Sequence, residues 1–233
     1  MTTEPVDPHP AQALRVRVAM VDDDTIMRDG LPLLLPQIEV VASFANTDAL
    51  LAAAPEAEVV LVDLKLAGTG RVPVVQGPAA VHAVAAAGYP VLVYTNERRR
   101  AVLVNCLAAG ARGVIHKAEP LSALHKAVTR VTEGQIVITQ ALTGLAELAE
   151  RRGRLPGLTP RERQVLSGRA RGESFRSIGE RLFITDRTAE GYMKGVTEKF
   201  ATFLRDHSPA DLEHYLGLEP ADLTDWQAPP PRP

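Results

Sequence analysis

Five short apolar runs, rich in β-branched residues, alternate with five segments of helical pattern between residues 15 and 132. Runs of this kind are typical of strands that are buried on both faces of a parallel sheet. We therefore predict an α/β fold in which helices cover both faces of a five-stranded, doubly wound parallel sheet with right-handed crossovers. The predicted strands are residues 15–21, 38–43, 59–62, 90–95 and 112–117. The predicted helices begin near residue 25 and cover 46–54, 76–87, 97–109 and 120–131.

Polar side chains follow four of these strands at the point where each strand ends. They are Asp22 and Asp23 after the first strand, Asp63 after the third, Thr95 at the end of the fourth and Lys117 at the end of the fifth. Because the carboxyl ends of parallel strands meet at one edge, we expect these side chains to converge. Clustered carboxylates favour a hard divalent cation, which predicts Mg²⁺. A hydroxyl and an ammonium beside them suit a phosphoryl group, since both donate to its oxygens.

Asp63 has two interpretations. An aspartate at a strand end often caps the helix that follows. An ionised carboxylate can instead attack phosphorus and form an acyl phosphate. The other strand-end residues favour this second interpretation, because a helix cap would not require them.

These residues stand in segments that resemble the receiver domain of two-component response regulators, which has a flavodoxin-like fold. The matching segments, within residues 14–132, are Val-Asp-Asp-Asp at 21–24, Leu-Val-Asp-Leu-Lys at 61–65, Val-Tyr-Thr at 93–95 and Gly-Ala-Arg-Gly-Val-Ile-His-Lys at 110–117. The resemblance implies that Asp63 accepts a phosphoryl group from a histidine kinase. It also implies that Mg²⁺ is bound directly by Asp23, Asp63 and the Lys65 carbonyl and through water by Asp22, and that Thr95 and Lys117 hold the phosphoryl oxygens.

Three features depart from the receiver pattern. Ala67 stands where proline is usual, and the loop 67–76 is several residues longer than usual. Val114 replaces the aromatic residue that commonly moves when the threonine binds phosphate. Ala118 follows the lysine where proline is common, and a cis bond without proline is costly. The first two departures leave the phosphorylation chemistry intact as an expectation and bear on how it is coupled to output.

Charge is distributed unevenly along the chain. Residues 151–199 contain 12 Lys and Arg against 6 Asp and Glu, a net charge of +6, so the rest carries −8 of the overall −2. This asymmetry favours an acidic domain joined to a nucleic-acid binder. The single cysteine, Cys106, excludes an internal disulfide and a cysteine-rich zinc site, and its apolar surroundings predict a packed helix position.

The basic region also carries a helix-turn-helix pattern. Thr159 is predicted to cap a helix with Pro160 as its first residue and Glu162 completing a capping box. A second helix is predicted over 174–182 and a third over 185–199. Two short helices joined by a tight turn, the second with exposed polar residues, indicate a small all-α DNA-binding domain.

Residues 155–200 resemble the output domain of the NarL/FixJ family, the LuxR-type helix-turn-helix. The matching segments are Leu-Thr-Pro-Arg-Glu-Arg at 158–163, Ile-Gly-Glu-Arg-Leu-Phe-Ile at 178–184 and Arg-Thr-Ala-Glu at 187–190. The resemblance implies that the third helix enters the major groove, where Glu190, Gly191 and Lys194 face base edges. It implies that phosphates are held by Arg176, Thr185, Arg187, Thr188 and Lys199. Gly191 and Gly195 depart from the pattern and suggest an unusual operator or a helix that becomes firmer on DNA.

The domain boundaries follow from these assignments. We expect a flexible N-terminus at 1–13, a receiver domain at 14–132, a linker with a helix at 133–157, the DNA-binding domain at 158–216 and a flexible tail at 217–233. Within the DNA-binding domain, 208–216 is predicted to be a fourth helix that supports pairing of output domains.

The chain is therefore interpreted as a DNA-binding transcriptional response regulator, a non-enzymatic protein in which phosphorylation of Asp63 controls dimerisation and binding to double-stranded DNA. We expect it in the cytoplasm, since no segment has the length and apolar character of a membrane span. The resemblance and the two-fold symmetry of operator half-sites imply a homodimer. One alternative is a regulator whose receiver works without phosphate, controlled by a ligand or constitutively dimeric. A remote alternative is a haloacid-dehalogenase-like phosphatase with its nucleophile at Asp22, which would leave Asp63 unexplained.

Overall fold

A parallel sheet in the strand order β2-β1-β3-β4-β5 forms the first part of the molecule. The computed structural model describes residues 15–66, 74–138, 140–155, 157–207 and 209–216. The strands are β1 Val16–Val21, β2 Ile38–Phe44, β3 Val59–Val62, β4 Val91–Thr95 and β5 Gly113–His116. The helices are α1 Thr25–Leu34, α2 Thr47–Ala53, α3 Gly77–Ala86, α4 Arg100–Ala108, α5 Leu121–Thr132, α6 Gln140–Arg151, α7 Pro160–Ala170, α8 Phe175–Leu182, α9 Asp186–Asp206 and α10 Pro209–Leu216.

Helices cover both faces of this sheet, which confirms the predicted α/β class. On one face, Leu50 of α2, Val81 of α3 and Val104 of α4 belong to one apolar cluster. On the other face, Leu31 of α1 and Leu124 of α5 belong to a second cluster. Every residue of β3 and β4 is buried because both faces are covered, as the continuous apolar runs predicted.

The fourth helix begins at Arg100 rather than at Glu97, where the sequence placed it. The Glu97 carboxylate accepts the backbone N–H groups of Arg98 and Arg99, each at 2.8 Å, and so satisfies the donors that precede the helix. The Arg99 side chain pairs with it at 2.8 Å, and these hydrogen bonds lower the pKa of Glu97 to about 2. Glu97 thus fixes the segment that joins β4 to α4.

The helix-turn-helix is formed by α8 and α9. The predicted capping box at the start of α7 is present, with Thr159 Oγ1 accepting from Glu162 N and Glu162 accepting from Thr159 N. Helix α9 continues to Asp206, beyond the predicted end at residue 199, because Phe200, Phe203 and Leu204 extend its buried face.

The helix in the predicted linker at 133–157 is a packed element of the fold. Leu142, Leu145, Ala146 and Ala149 of α6 are buried, and α6 contacts α4, α7 and α10. Helix α4 also contacts α9, so the sheet domain and the helical domain share one continuous apolar cluster.

The predicted fourth helix of the DNA-binding domain is α10, whose Leu212 and Leu216 are buried within this chain. Among the described residues, no helix has the length and hydropathy needed to cross a bilayer.

Candidate metal centre and nucleic-acid interface

Two carboxylates and one ammonium meet at the carboxyl edge of the sheet. Lys117 Nζ donates to Asp22 Oδ2 at 2.7 Å and to Asp63 Oδ2 at 2.8 Å. The other oxygen of each carboxylate accepts a backbone N–H, from Asp24 at 3.0 Å and from Leu64 at 2.7 Å. The structure therefore brings three of the predicted site residues into direct contact.

Lys117 is a firmly charged cation in this arrangement. Burial acts to lower the pKa of its ammonium, but hydrogen bonds and charge from Asp22 and Asp63 outweigh that effect and raise the pKa above its ordinary value. Its side chain is only 11% exposed. Because two buried carboxylates need a nearby positive charge, Lys117 neutralises part of the charge of the cluster.

The carboxylates also fit a divalent cation. Asp22, Asp23 and Asp63 can each offer one oxygen, and these oxygens lie within 4.8 Å of one another. Oxygen donors at this spacing are what Mg²⁺ prefers. Asp24 lies outside the group, since its Oδ1 accepts from Ile26 N at 2.8 Å and caps α1.

Thr95 lies at the end of β4 and is buried. Its Oγ1 accepts the backbone N–H of Glu97 at 3.2 Å, so the hydroxyl proton can be donated to another oxygen. Lys65 is exposed beside Leu64, which follows Asp63.

Two residues of this site were not singled out in the sequence. Arg28 Nη1 donates to the Asp22 carbonyl at 2.6 Å, and the Tyr94 ring centroid lies 6.0 Å from Lys117 Nζ. The sequence could have indicated Arg28 as a basic residue in the helix that directly follows the acids. Tyr94 could be found only from the strand register, since it precedes Thr95 on the opposite face of β4.

The departures from the receiver pattern have different outcomes. Val114 is buried in the cluster on the α4 side, so no aromatic ring occupies that position. The Lys117–Ala118 peptide bond is trans. The long loop lies largely outside the described residues, which omit 67–73. Cys106 is fully buried in α4, as its apolar surroundings predicted.

Replacing Lys117 by Met is expected to raise the affinity for Mg²⁺ by about tenfold. The ammonium occupies one oxygen each of Asp22 and Asp63, so its removal eliminates a competing positive charge. Calorimetric titration with MgCl₂ at neutral pH would measure this. Lys126→Met, an exposed change on α5, is the matched control. Unchanged or weaker Mg²⁺ binding in Lys117→Met would show that the Lys117 ammonium does not compete with Mg²⁺ for the carboxylate oxygens.

The second candidate surface is the exposed face of α9. Glu190, Gly191 and Lys194 are exposed along it, while Ala189 and Met193 on the opposite face are buried. Helical periodicity places the three exposed residues on one side of the helix. They are the residues expected to face base edges.

The predicted phosphate contacts are placed differently from one another. Arg187 and Thr188 are exposed at the start of α9, and the Arg176 side chain on α8 is 85% exposed, in an i,i+4 pair with Glu180. Thr185 caps α9, since its Oγ1 accepts from Thr188 N at 3.0 Å. These residues border the start of α9.

Lys199 has a structural role in this arrangement. Its Nζ donates to the Glu162 carboxylate at 2.8 and 2.9 Å and to the Gly157 carbonyl at 2.7 Å, which joins α9 to the start of α7. Gly195 belongs to the same contact, because a Cβ there would lie 2.6 Å from Glu162 Oε1. A Cβ at Gly195 would displace the Glu162 carboxylate from these contacts, which gives the glycine a packing reason within the chain. At Gly191 an added Cβ would meet nothing within 4 Å.

The exposed face of α9 borders a cavity of about 650 Å³ between the two domains. Glu190, Gly191 and Lys194 line it from α9, and Arg130 and Glu133 line it from the end of α5. The Arg130 guanidinium lies 4.0 Å from the Glu190 carboxylate. In this conformation the surface expected to read DNA faces the sheet domain.

Comparison with protein families gives two matches that coincide with the two domains. Residues 18–129 match the response regulator receiver domain, and residues 156–205 match the bacterial regulatory proteins of the luxR family. The two matched segments contain the acidic cluster and the helix-turn-helix, respectively.

Curated relatives match along most of the chain. The transcriptional regulatory protein LnrK of Bacillus subtilis is 28% identical over 84% of this chain and 94% of its own length. UhpA of Salmonella typhimurium is 29% identical over 79% and 91%, respectively, and the nitrate/nitrite response regulator NarL of Escherichia coli is 26% identical over 78% and 88%.

Among solved structures, the RcsB response regulator of Salmonella typhimurium aligns with a TM-score of 0.50 at 23% identity, covering 87% of this chain and 98% of that one. A structure of two RcsB dimers bound to two parallel DNAs aligns with a TM-score of 0.50 at 21% identity, covering 88% and 98%. At these identities the structures support the fold.

Proposed function

Since the chain belongs to the response regulators that join a receiver domain to a LuxR-type DNA-binding domain, we propose that phosphorylation of Asp63 frees α9, the helix expected to read DNA, to bind an operator. The observation that carries this proposal is the contact of Lys117 with Asp22 and Asp63 at the sheet edge. Phosphoryl transfer to an aspartate requires a nucleophilic carboxylate, a fixed cation and further acids that bind a metal ion.

The chemistry proposed for Asp63 is transfer from a phosphorylated histidine of a kinase. A carboxylate oxygen of Asp63 forms a bond to phosphorus, the phosphorus–nitrogen bond breaks, and its electron pair remains on the imidazole. Mg²⁺ held by Asp22, Asp23, Asp63 and the Lys65 carbonyl would neutralise negative charge on the carboxylates and the phosphoryl oxygens. Thr95 and Lys117 donate hydrogen bonds to those oxygens.

The route to the output domain is proposed to run through α4. Thr95 accepts the Glu97 N–H at 3.2 Å, and Glu97 in turn fixes the start of α4. Helix α4 packs on both α6 and α9. A turn of the Thr95 hydroxyl towards a phosphoryl oxygen would therefore disturb the segment that holds the two domains together, without the aromatic residue that Val114 replaces.

Once the contact between domains opens, α9 is free to enter the major groove. Two copies are proposed to bind together, because helix-turn-helix proteins read two-fold related half-sites. Arg176, Arg187 and Thr188 would contact phosphates, while Thr185 orders the start of α9. The proposed role implies a location in the cytoplasm, with the DNA and the kinase.

The phosphatase alternative leaves two acids of the site unexplained. Asp24, the second acid that such an enzyme would use, caps α1 and is exposed. Lys117 binds Asp63, to which that interpretation gives no role, as well as Asp22.

Incubation with acetyl phosphate and Mg²⁺ is expected to raise the affinity for duplex DNA by at least about tenfold, which corresponds to about 1.4 kcal/mol. The physical reason is that the conformation described above, here called closed, turns Glu190, Gly191 and Lys194 of α9 towards the cavity beside the sheet domain. Retention of sheared genomic DNA by the immobilised full-length protein would measure the change, with Mg²⁺ alone as the control. A gain of phosphoryl mass without a change in retention would contradict phosphate control.

A further inference from the structure

The base-reading face of α9 presents two opposite charges separated by a glycine. Glu190 and Lys194 stand four residues apart, and both are exposed together with Gly191. In this conformation the Glu190 carboxylate faces Arg130 of the sheet domain at 4.0 Å. Residues four apart lie on the same helix face about one turn from each other, so the two charged groups can face separate bases.

A carboxylate on this face is unfavourable for DNA binding in general. Phosphates repel it, and non-specific affinity comes almost entirely from positive groups. The repulsion is offset only where the carboxylate accepts a hydrogen bond from a base amino group. In the major groove, cytosine presents the N4 amino donor without an acceptor, so it suits Glu. Adenine places its N7 acceptor beside the N6 amino group, and guanine and thymine present acceptors, all of which repel a carboxylate.

We infer that each operator half-site carries a cytosine read by Glu190 and, about two base pairs away, a guanine read by Lys194. The inference rests on the proposed DNA-binding function and assigns the base chemistry of that surface. Four residues of helix span about 6 Å, close to two base steps of about 3.4 Å. Lysine donates to the O6 and N7 acceptors of guanine.

Gly191 supports this division of the reading face. A Cβ at this position would meet nothing within 4 Å, so packing inside the protein does not require glycine there. With no side chain between the two charged groups, the backbone of α9 can approach the floor of the groove closely. Readout then depends on Glu190 and Lys194 alone.

The contact with Arg130 gives Glu190 a second partner. Both side chains are about half exposed, at 44% and 48%, so the pair is weak and easily released. The carboxylate therefore exchanges Arg130 in the closed conformation for a cytosine amino group on DNA.

Selection from a pool of randomised duplex DNA tests this assignment, because the pool contains every candidate half-site. Full-length protein treated with acetyl phosphate and Mg²⁺ is used in parallel with Glu190→Gln, Lys194→Gln and Arg187→Ala. In the parent, we expect one position per half-site to favour cytosine over other bases by about tenfold. In Glu190→Gln that position should shift to adenine, because glutamine pairs with the N6 and N7 groups of adenine.

The two other variants separate readout from general affinity. Lys194→Gln should change the preference at the guanine position and leave the cytosine position unchanged. Arg187→Ala, at a phosphate-contacting position, should lower binding to all selected sequences without changing base preferences.

Three outcomes overturn the inference in distinguishable ways. Enriched sequences without a cytosine preference would refute the assigned base. Identical preferences in the parent and in Glu190→Gln would show that Glu190 serves only the contact with Arg130. Failure of the parent to enrich any sequence, although its intact mass shows the phosphoryl group, would refute the proposed DNA-binding function itself.

Discussion

Replacing Asp63 by Asn is expected to abolish the gain of one phosphoryl group that the protein acquires from acetyl phosphate and Mg²⁺. The amide has nearly the same shape as the carboxylate, but it lacks the charged oxygen that attacks phosphorus. The substitution also weakens the contact with Lys117 Nζ, which in the parent protein lies 2.8 Å from Asp63 Oδ2. Intact mass measured before and after incubation decides the result.

Asp24→Asn is the matched control for this experiment. Asp24 belongs to the same run of acids but caps α1 instead of joining the metal-binding group. Asparagine caps helices about as well as aspartate, so phosphorylation should be retained. An equal gain of mass in the Asp63 variant would contradict the assigned phosphoacceptor.

Measurements on the parent protein distinguish phosphate control from the two alternative functions. No gain of mass from acetyl phosphate or from a cognate kinase, in folded protein that binds Mg²⁺, would favour a receiver controlled by a ligand. A generic phosphate ester hydrolysed by the parent but not by Asp22→Asn would instead revive the phosphatase interpretation.

Gly179→Ala is expected to destabilise the helix-turn-helix by about 1–3 kcal/mol, the usual cost of overpacking. A Cβ at Gly179 of α8 would lie 2.7 Å from the Ile184 carbonyl oxygen and 3.3 Å from Asp186 N. Both atoms belong to the backbone of the turn and the start of α9, so neither can move aside without shifting the reading helix. DNA binding should fall along with the stability of this domain.

The control is Gly191→Ala in α9, where the added methyl group would meet nothing within 4 Å. Removing an exposed helical glycine should stabilise α9 by up to about 1 kcal/mol. Hydrogen exchange of the amides of α8 and α9 measures both effects locally, which suits a two-domain protein in which unfolding need not be two-state. Equal protection in the two variants would contradict the tight approach at Gly179.

Local sequence patterns predicted much of the first domain. The run at 59–62 identified a doubly covered strand, and the residues after the strands identified the acidic edge. Both predictions depend on periodicity and chain direction, which a sequence records directly. The Thr159 capping box was likewise predictable, since its partners lie three residues apart.

Side-chain roles that depend on distant partners were less accessible. The pattern predicted Glu97 as the first residue of a helix, yet its carboxylate binds the N–H groups that precede α4. Lys199 was expected to contact phosphate, yet it is bonded to Glu162, 37 residues earlier. Gly195 was interpreted as a feature of DNA recognition, and its close approach to Glu162 was not indicated by the sequence.

Short-range patterns in the chain were enough to predict the two domain types, the cluster of acids at the sheet edge and the exposed face of α9, because each follows from periodicity or from strand ends. The packing of α4 on α6 and α9, and the position of the exposed face of α9 at a cavity beside Arg130, emerged only from the three-dimensional arrangement. An apolar helix surface specifies that it will be buried, but not which partner will bury it. That choice depends on the complementary shapes of surfaces that are far apart in the chain.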